Sequence, residues 1–220
     1  MTAVLFGSIS TLVDTSELQR EAFNRAFAAH DLDWTWERDE YRDLLATSGG
    51  RDRVAAYAEE RGADVDADAV HATKTRLFQE LLADEPPPLR PGVAEAIDAA
   101  REQGHPVGVV TTTSPENVAA VLAAAGLADA PLTVVLDAEA VATPKPDPAA
   151  YLTALDRLGV EADDAVAVED NLGGLASARA AGVACVAFPN ANTADHDFEG
   201  AAVVVDRVEL DGLLGAADAR

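Results

Sequence analysis

Polar side chains that could hold a phosphoryl group occur at three points of the sequence. Lys145 lies in a Pro-Lys-Pro-Asp-Pro segment and is one of only two lysines in the chain. Its compact ammonium can neutralise a phosphoryl oxygen, and the Thr111 hydroxyl can donate to the same oxygens, assisted by backbone N–H groups where a helix begins. The adjacent acids Glu169 and Asp170 offer the hard oxygen ligands that Mg²⁺ prefers. These residues have the side-chain chemistry that a phosphoryl group and Mg²⁺ would require.

Each of these residues also has a plainer structural interpretation. Lys145 could lie on the surface or pair with Glu169 or Asp170, and Thr111 could make only local hydrogen bonds in a helix-capping segment. Two adjacent acids carry little information in a chain with 39 acidic residues. The scarcity of lysine favours a site role for Lys145, because the few cations must neutralise any bound anion.

The predicted strands place these residues at one edge of a sheet. Residues 3–6 form a short apolar run, typical of a buried strand that ends in a loop. Five later apolar runs, separated by segments of helical periodicity, cover residues 107–110, 133–136, 165–168, 183–188 and 202–205. Apolar strands that alternate with helices predict an α/β fold with a doubly wound parallel sheet covered on both faces. Ligands of such sheets bind beyond the carboxyl ends of the strands, where the three candidate points lie.

A second, helical domain is predicted between the first strand and the rest of the sheet. Residues 15–82 show helical periodicity, and no convincing strand interrupts them. Glu85 and three prolines then break the chain, since proline cannot continue a helix. We therefore predict an α/β core of residues 1–14 and 89–220 with an inserted all-helical cap of residues 15–88.

The net charge excludes some classes of partner. The chain has 16 basic and 39 acidic residues, a net charge of −23, yet 49% of its residues are hydrophobic. This composition supports a packed core, while the charge would repel nucleic acid and anionic membrane surfaces. Abundant Asp and scarce Lys favour a halophilic protein, because high salt screens self-repulsion; an ordinary acidic protein is the alternative. No apolar stretch is long enough to span a membrane, which predicts a cytoplasmic protein.

The order of the motifs resembles that of the haloacid dehalogenase (HAD) superfamily of phosphatases and phosphomutases, along almost the whole chain. The matching segments are the Thr-Leu-Val-Asp-Thr of residues 11–15, Val-Val-Thr111, Pro-Lys145-Pro-Asp-Pro and Val-Glu169-Asp170-Asn-Leu-Gly-Gly. Further segments, including Ser-Gly-Gly-Arg-Asp-Arg at 48–53 and Asp-Phe-Glu-Gly-Ala at 197–201, resemble the CbbY-type sugar-bisphosphate phosphatases, close relatives of β-phosphoglucomutase.

The resemblance implies a HAD-type Rossmann-like core and assigns roles to the candidate residues. Thr111, Thr112 and Lys145 would bind phosphate, and Glu169 and Asp170 would hold Mg²⁺. The ligand would be a small phosphate ester, and no protein partner is indicated.

In the cap, the resemblance implies that Arg51 and Arg53 contact the substrate. The two arginines follow a flexible Ser-Gly-Gly turn, and an arginine can grip a distal phosphate or a sugar hydroxyl. A helix-surface role, in which they balance Asp52 and its neighbours, is the alternative.

The first strand departs from the family pattern at its two catalytic positions. In the family, one aspartate attacks phosphorus and binds Mg²⁺, and a second, two residues later, is the general acid and base. Those positions are Gly7 and Ile9 in this chain, and neither side chain can do that chemistry. Loss of a nucleophile costs a factor of ~10⁶ in rate in a well-studied hydrolase. The departure also predicts weakened Mg²⁺ binding.

These observations predict a pseudo-hydrolase that binds a phosphate ester. One alternative is a weak or altered Mg²⁺-dependent sugar-phosphate phosphatase, in which Ser8, Ser10 or a metal-bound water attacks. Another is a structural or interaction protein whose crevice is vestigial.

Overall fold

The computed structural model describes residues 1–7, 9–45 and 49–219. The chain divides into two compact units: a core unit, formed by Met1–Asp14 and the chain from Pro87 onward, and a cap unit, formed by Thr15–Pro86. The cap unit ends at Pro86, two residues before the predicted boundary at residue 88 and within the same run of prolines. In the described parts of the chain, no helix has the length and apolar character to cross a membrane.

The core unit contains a six-stranded parallel sheet. In chain order its strands are β1 (Ala3–Phe6), β2 (Val107–Val110), β3 (Val134–Leu136), β4 (Ala165–Glu169), β5 (Ala184–Ala187) and β6 (Val203–Val204). Their order across the sheet is β3-β2-β1-β4-β5-β6. This is the order of a doubly wound fold, so the predicted fold class is confirmed.

Two apolar layers cover the sheet because its strands are apolar at successive positions. Val4 and Phe6 pack in one layer with apolar residues of two helices, whereas Ala3 and Leu5 pack in the other. The helices of the core unit are α1 (Ile9–Leu12), α6 (Val93–Glu102), α7 (Pro115–Ala124), α8 (Ala149–Leu158), α9 (Leu172–Ala180) and α10 (Leu210–Asp218). Helices α6 and α10 cover the first face, and α8 and α9 cover the second.

The crevice of such a sheet lies where the strand order reverses, between β1 and β4. Phe6 is in register with Val168, and the backbone N–H of Gly7 donates to Val168 O at 2.8 Å. Gly7 therefore lies beside Glu169, the last residue of β4. The two positions are 162 residues apart in sequence.

In its described residues, the cap unit contains helices and no strand. Its helices are α2 (Ser16–Ala29), α3 (Arg38–Leu44), α4 (Gly50–Glu60) and α5 (Ala67–Asp84). Trp36 is fully buried at the centre of an aromatic cluster, with its ring centroid 4.7 Å from those of Phe23 and Phe27. Aromatic burial of this kind gives the small unit a core of its own.

Some local features differ from the sequence prediction. The segment after β1 was expected to be a loop, but Ile9–Leu12 forms one helical turn whose apolar side chains are buried. The last strand is shorter than residues 202–205. Helix α10 was not predicted, because Gly212 and Gly215 interrupt its apolar pattern.

Candidate functional site

Lys145 is buried at the carboxyl edge of the sheet and is fully hydrogen-bonded. Its ammonium donates to the backbone O of Gly7, to Val110 O at 2.7 Å and to Glu169 Oε1 at 2.6 Å. The ammonium has three N–H groups, and each has a protein acceptor here. The side chain is only 8% exposed. Lys145 thus joins the ends of three neighbouring strands. It also forms an ion pair with Glu169, which was one of the alternative interpretations of the sequence.

Glu169 belongs to β4 and is completely buried, although it was predicted as a strand-end metal ligand. Oε1 accepts from Lys145 and, at 2.7 Å, from the hydroxyl of Tyr151. Oε2 is buried with no hydrogen-bond partner among the described residues. Burial raises the pKa of Glu169, and the Lys145 ammonium opposes this increase.

Gly7 leaves the space that Glu169 fills. A Cβ atom built on Gly7 would overlap Glu169 Oε1 and the Tyr151 hydroxyl, well within the 3.0 Å limit that real Cβ contacts respect. The absence of a side chain at position 7 is therefore matched by the packing around it. No aspartate fits at this position unless Glu169 and Tyr151 move.

The contacts described for Ile9 and Ser10 are a packing contact and a backbone hydrogen bond. Ile9 is 3% exposed and lies within α1. The backbone O of Ser10 accepts from Arg90 at 3.0 Å. Ser8 lies outside the described residues.

Thr111 and Thr112 follow β2 at the same edge of the sheet. Thr111 is buried, and its hydroxyl accepts a local hydrogen bond from the backbone N–H of Thr113 at 3.2 Å. Thr112 is partly exposed. Ser114 caps α7 by accepting from the backbone N–H of Asn117 at 3.4 Å. The predicted phosphate contacts of Thr111 and Thr112 remain predictions, since the hydrogen bond described for the Thr111 hydroxyl is local.

Asp170 follows Glu169 but points into a separate network of amides. Asn171 donates to Oδ1 at 3.0 Å, and Asn190 donates to Oδ2 at 2.8 Å. Thr193 donates through its hydroxyl to the backbone O of Asp170 at 2.7 Å. These contacts fix the orientation of the carboxylate, and each oxygen keeps lone-pair capacity for another partner.

The residues around Asp170 do not fit the magnesium site that the resemblance implies. Gly7 and Ile9 supply no carboxylate, and Glu169 is committed to Lys145, so Asp170 is the remaining acid of the predicted set. Within residues 1–7, 9–45 and 49–219, no group of three or more His, Cys, Asp or Glu side chains could hold a metal ion. A single carboxylate would leave Mg²⁺ dependent on waters and on the ligand.

Arg90 is buried and connects two segments of backbone, a role that its place in the sequence did not indicate. It donates to Phe188 O at 2.8 Å, to Pro189 O at 2.5 Å and to Ser10 O at 3.0 Å. Its guanidinium also lies over the Phe188 ring, 3.4 Å from the centroid. Burial lowers the pKa of Arg90, and the charges of Asp170 and Asp14 oppose this. Arg90 thus ties the segments after β1 and β5 together.

The two predicted cap arginines differ in environment. Arg51 is half exposed and pairs with Asp52 at 2.9 Å and with Asp68 at 3.1 Å, which is the surface role considered above. Arg53 is buried, donates to Leu44 O at 2.8 Å and lies over the Tyr41 ring. Ser48 of the preceding turn lies outside the described residues.

The cap unit also buries the second lysine, which the sequence analysis left without a role. Lys74 donates to Gln19 Oε1 and lies 4.9 Å from the ring centroids of Phe23 and Phe78. Burial, together with the charge of Arg53, lowers the pKa of Lys74 to about 7. The scarcity of lysine was the signal that could have drawn attention to it.

Comparison with known proteins establishes the family. A model of the haloacid dehalogenase-like hydrolases matches residues 1–182, so the chain belongs to that family. The plasmid protein CbbY of Cupriavidus necator is 42% identical over 215 residues, which cover 93% of this chain and 85% of that protein. The resemblance to CbbY-type proteins is thereby confirmed.

Two solved structures of CbbY from Rhodobacter sphaeroides share this fold, each with a TM-score of 0.90. One, in complex with phosphate, is 38% identical and covers 99% of each chain. The other, a variant in complex with xylulose-1,5-bisphosphate, is 39% identical and covers 97% of this chain and 99% of that one.

Proposed function

We propose that this protein binds a phosphate ester but does not hydrolyse it through the phosphoenzyme chemistry of its family. The proposal rests on one observation, the absence of a side chain at position 7 and the packing of other side chains into that space. Gly7 has no nucleophile, and Glu169 and Tyr151 fill the volume where one would lie. An attacking carboxylate has to reach phosphorus in line, and no side chain at this position can do so.

The proposed ligand is a sugar phosphate or sugar bisphosphate. The CbbY structures that share the fold contain phosphate and xylulose-1,5-bisphosphate. In this chain, Lys145 would supply the positive charge at the strand ends when a phosphate displaces Glu169, and Thr111 and Thr112, which follow β2, would donate their hydroxyls. On a protein with a net charge of −23, a bound phosphate needs such a local cation.

In the cap unit, Arg53 and Lys74 are the stronger candidates for an anion contact. Each is buried, and their charges act on one another, because Arg53 contributes to the lowered pKa of Lys74. Arg51 is neutralised by two aspartates, so we expect it to contribute less than the sequence predicted.

We further propose that magnesium binds only weakly, through Asp170, and that the protein works in the cytoplasm at high salt. The donor set supports weak binding because, of the two predicted metal ligands, Glu169 is paired with Lys145 and only Asp170 is left for a cation. The surplus of acidic residues over basic residues supports a salt-adapted surface.

Calorimetry in molar KCl tests the proposal. Xylulose-1,5-bisphosphate and inorganic phosphate would be titrated into the wild-type protein and into Lys145→Met. Arg101→Met is a matched control, because it removes one positive charge as Lys145→Met does. Arg101 lies at the end of α6 that leads into β2, on the side of the sheet opposite the carboxyl ends of the strands. We expect binding by the wild type and the control and at least a tenfold loss in Lys145→Met. Absence of binding by the wild type would instead support a vestigial crevice.

A further inference from the structure

The geometry points to a reassigned role for Glu169: it competes with a bound phosphate for the Lys145 ammonium and thereby limits anion affinity. This inference rests on the proposed function, since it concerns the same phosphate contact. It replaces the predicted role of Glu169 as a metal ligand.

The first step is the fit between Glu169 and two glycines from different elements. A Cβ on Gly7 would overlap Oε1, and a Cβ on Gly174 would overlap the whole carboxylate. Gly7 follows β1, and Gly174 lies in the first turn of α9. Glu169 reaches the ammonium in this position because both of its neighbours lack side chains.

The second step is the hydrogen-bond capacity of Lys145. Its three N–H groups already have acceptors in Gly7 O, Val110 O and Glu169 Oε1. The two carbonyl oxygens belong to the sheet edge and are fixed, whereas Glu169 is a side chain that can change rotamer. A phosphate oxygen that binds the ammonium must therefore displace or share the position of Glu169.

The third step is that the position of Glu169 is costly to maintain. Oε2 is buried with no partner among the described residues, and an unsatisfied buried polar atom destabilises the side-chain position that holds it. Tyr151 stabilises the same position by donating to Oε1 at 2.7 Å. Tyr151 is thus a positioning residue, which acts on the ligand contact only through Glu169.

Phosphate titration of two variants tests this role. Glu169→Gln removes the competing charge and keeps a side chain of the same size, so we expect about tenfold tighter binding of inorganic phosphate. Tyr151→Phe keeps the ring and removes the hydroxyl, and we expect a smaller gain in the same direction. Glu102→Gln is the control for charge, because this exposed acid lies at the end of α6.

The outcomes separate this inference from the proposed function. If the wild type binds phosphate and neither variant binds it more tightly, the role of Glu169 is wrong and the proposed function stands. If only the variants bind, Glu169 blocks the site completely, and the proposal that the wild type binds phosphate is wrong. If neither the wild type nor any variant binds, the proposed function and the role of Glu169 are both wrong. Adding Lys145→Met to Glu169→Gln should abolish the gain, and a gain that persists would also overturn the inference.

Discussion

Glu169 occupies the volume that a side chain on Gly7 would need, and its Oε1 lies 2.6 Å from the Lys145 ammonium. The Glu169 side chain, which comes from β4, therefore fills the space beside Gly7. Its carboxylate is the counter-charge of the lysine. Under the proposed function, this arrangement balances the charge of Lys145 and supplies no nucleophile at position 7.

Restoring an aspartate at position 7 should destabilise the protein. We expect Gly7→Asp to lower the free energy of unfolding by about 1–3 kcal/mol, because the new side chain overlaps Glu169 and Tyr151. In a Glu169→Ala background the same substitution should cost less, since the overlapping carboxylate is gone and Lys145 gains a new partner. Urea unfolding of the wild type, the two single variants and the double variant measures both costs. Equal costs in the two backgrounds would show that an aspartate at position 7 and Glu169 do not compete for the same volume.

The same overlap governs attempts to restore activity. Gly7→Asp with Ile9→Asp should give no phosphatase activity while Glu169 stays in place. If the double variant is active, the site has lost only its first motif, and the packing around Glu169 is more adaptable than we infer.

Lys145 and Glu169 should be strongly coupled in stability. Lys145→Met leaves a buried carboxylate without its cation, so we expect a loss of about 3–5 kcal/mol. Adding Glu169→Gln should recover part of that loss, because the uncompensated charge is removed. A double-mutant cycle by urea unfolding measures the coupling, and strictly additive losses would show that the pair is energetically independent.

Lys74 should give the protein a stability that rises in alkaline solution. Its pKa is about 7 in the folded chain, against 10.5 for an ordinary lysine. Between these values the unfolded state binds more protons than the folded state, so the free energy of unfolding increases with pH. At about 1.4 kcal/mol per pKa unit the whole effect is on the order of 5 kcal/mol, an upper limit because two aromatic rings stabilise the ammonium.

Urea unfolding from pH 7 to pH 10 tests the effect of Lys74. The wild type should gain stability relative to Lys74→Met across this range. Arg76→Met, an exposed cation on the same helix, should keep the wild-type slope. A Lys74→Met variant with an unchanged slope would show that this ammonium does not titrate in the window.

Gly92 should be far less tolerant of alanine than Gly126. Both have positive φ, 81° and 69°, so alanine costs each about 1–2 kcal/mol. A Cβ on Gly92 would also overlap the backbone O of Val208, whereas nothing lies within 4 Å of one on Gly126. Thermal unfolding should place Gly92→Ala well below Gly126→Ala, and equal melting temperatures would contradict the close approach.

Much of the fold was predictable because apolar runs and helical periodicity coincide with real elements. The bounds of β1 and β2 match the sequence prediction, and the described residues of the predicted cap contain helices and no strand. Helix α10 was not predicted because two glycines weaken its apolar pattern. The turn of α1 was not predicted because four residues are too few to show helical periodicity.

The meeting of Gly7, Lys145 and Glu169 was also predictable, because the carboxyl ends of parallel strands lie on the same side of a sheet. The direction of the Glu169 side chain did not follow, because it depends on the volume left by Gly7 and Gly174 on two other elements. Tyr151 gave no signal, since a tyrosine on the apolar face of α8 has the pattern of an ordinary core residue.

Turnover is the most direct test of the central claim that position 7 cannot form a phosphoenzyme. Release of inorganic phosphate from xylulose-1,5-bisphosphate would be followed in molar KCl with Mg²⁺, for the wild type and for Lys145→Met. We expect no release above the rate without protein, in line with the ~10⁶-fold loss that follows removal of a nucleophile. Mg²⁺-dependent release by the wild type that disappears in Lys145→Met would contradict the claim and identify the protein as a hydrolase with another nucleophile.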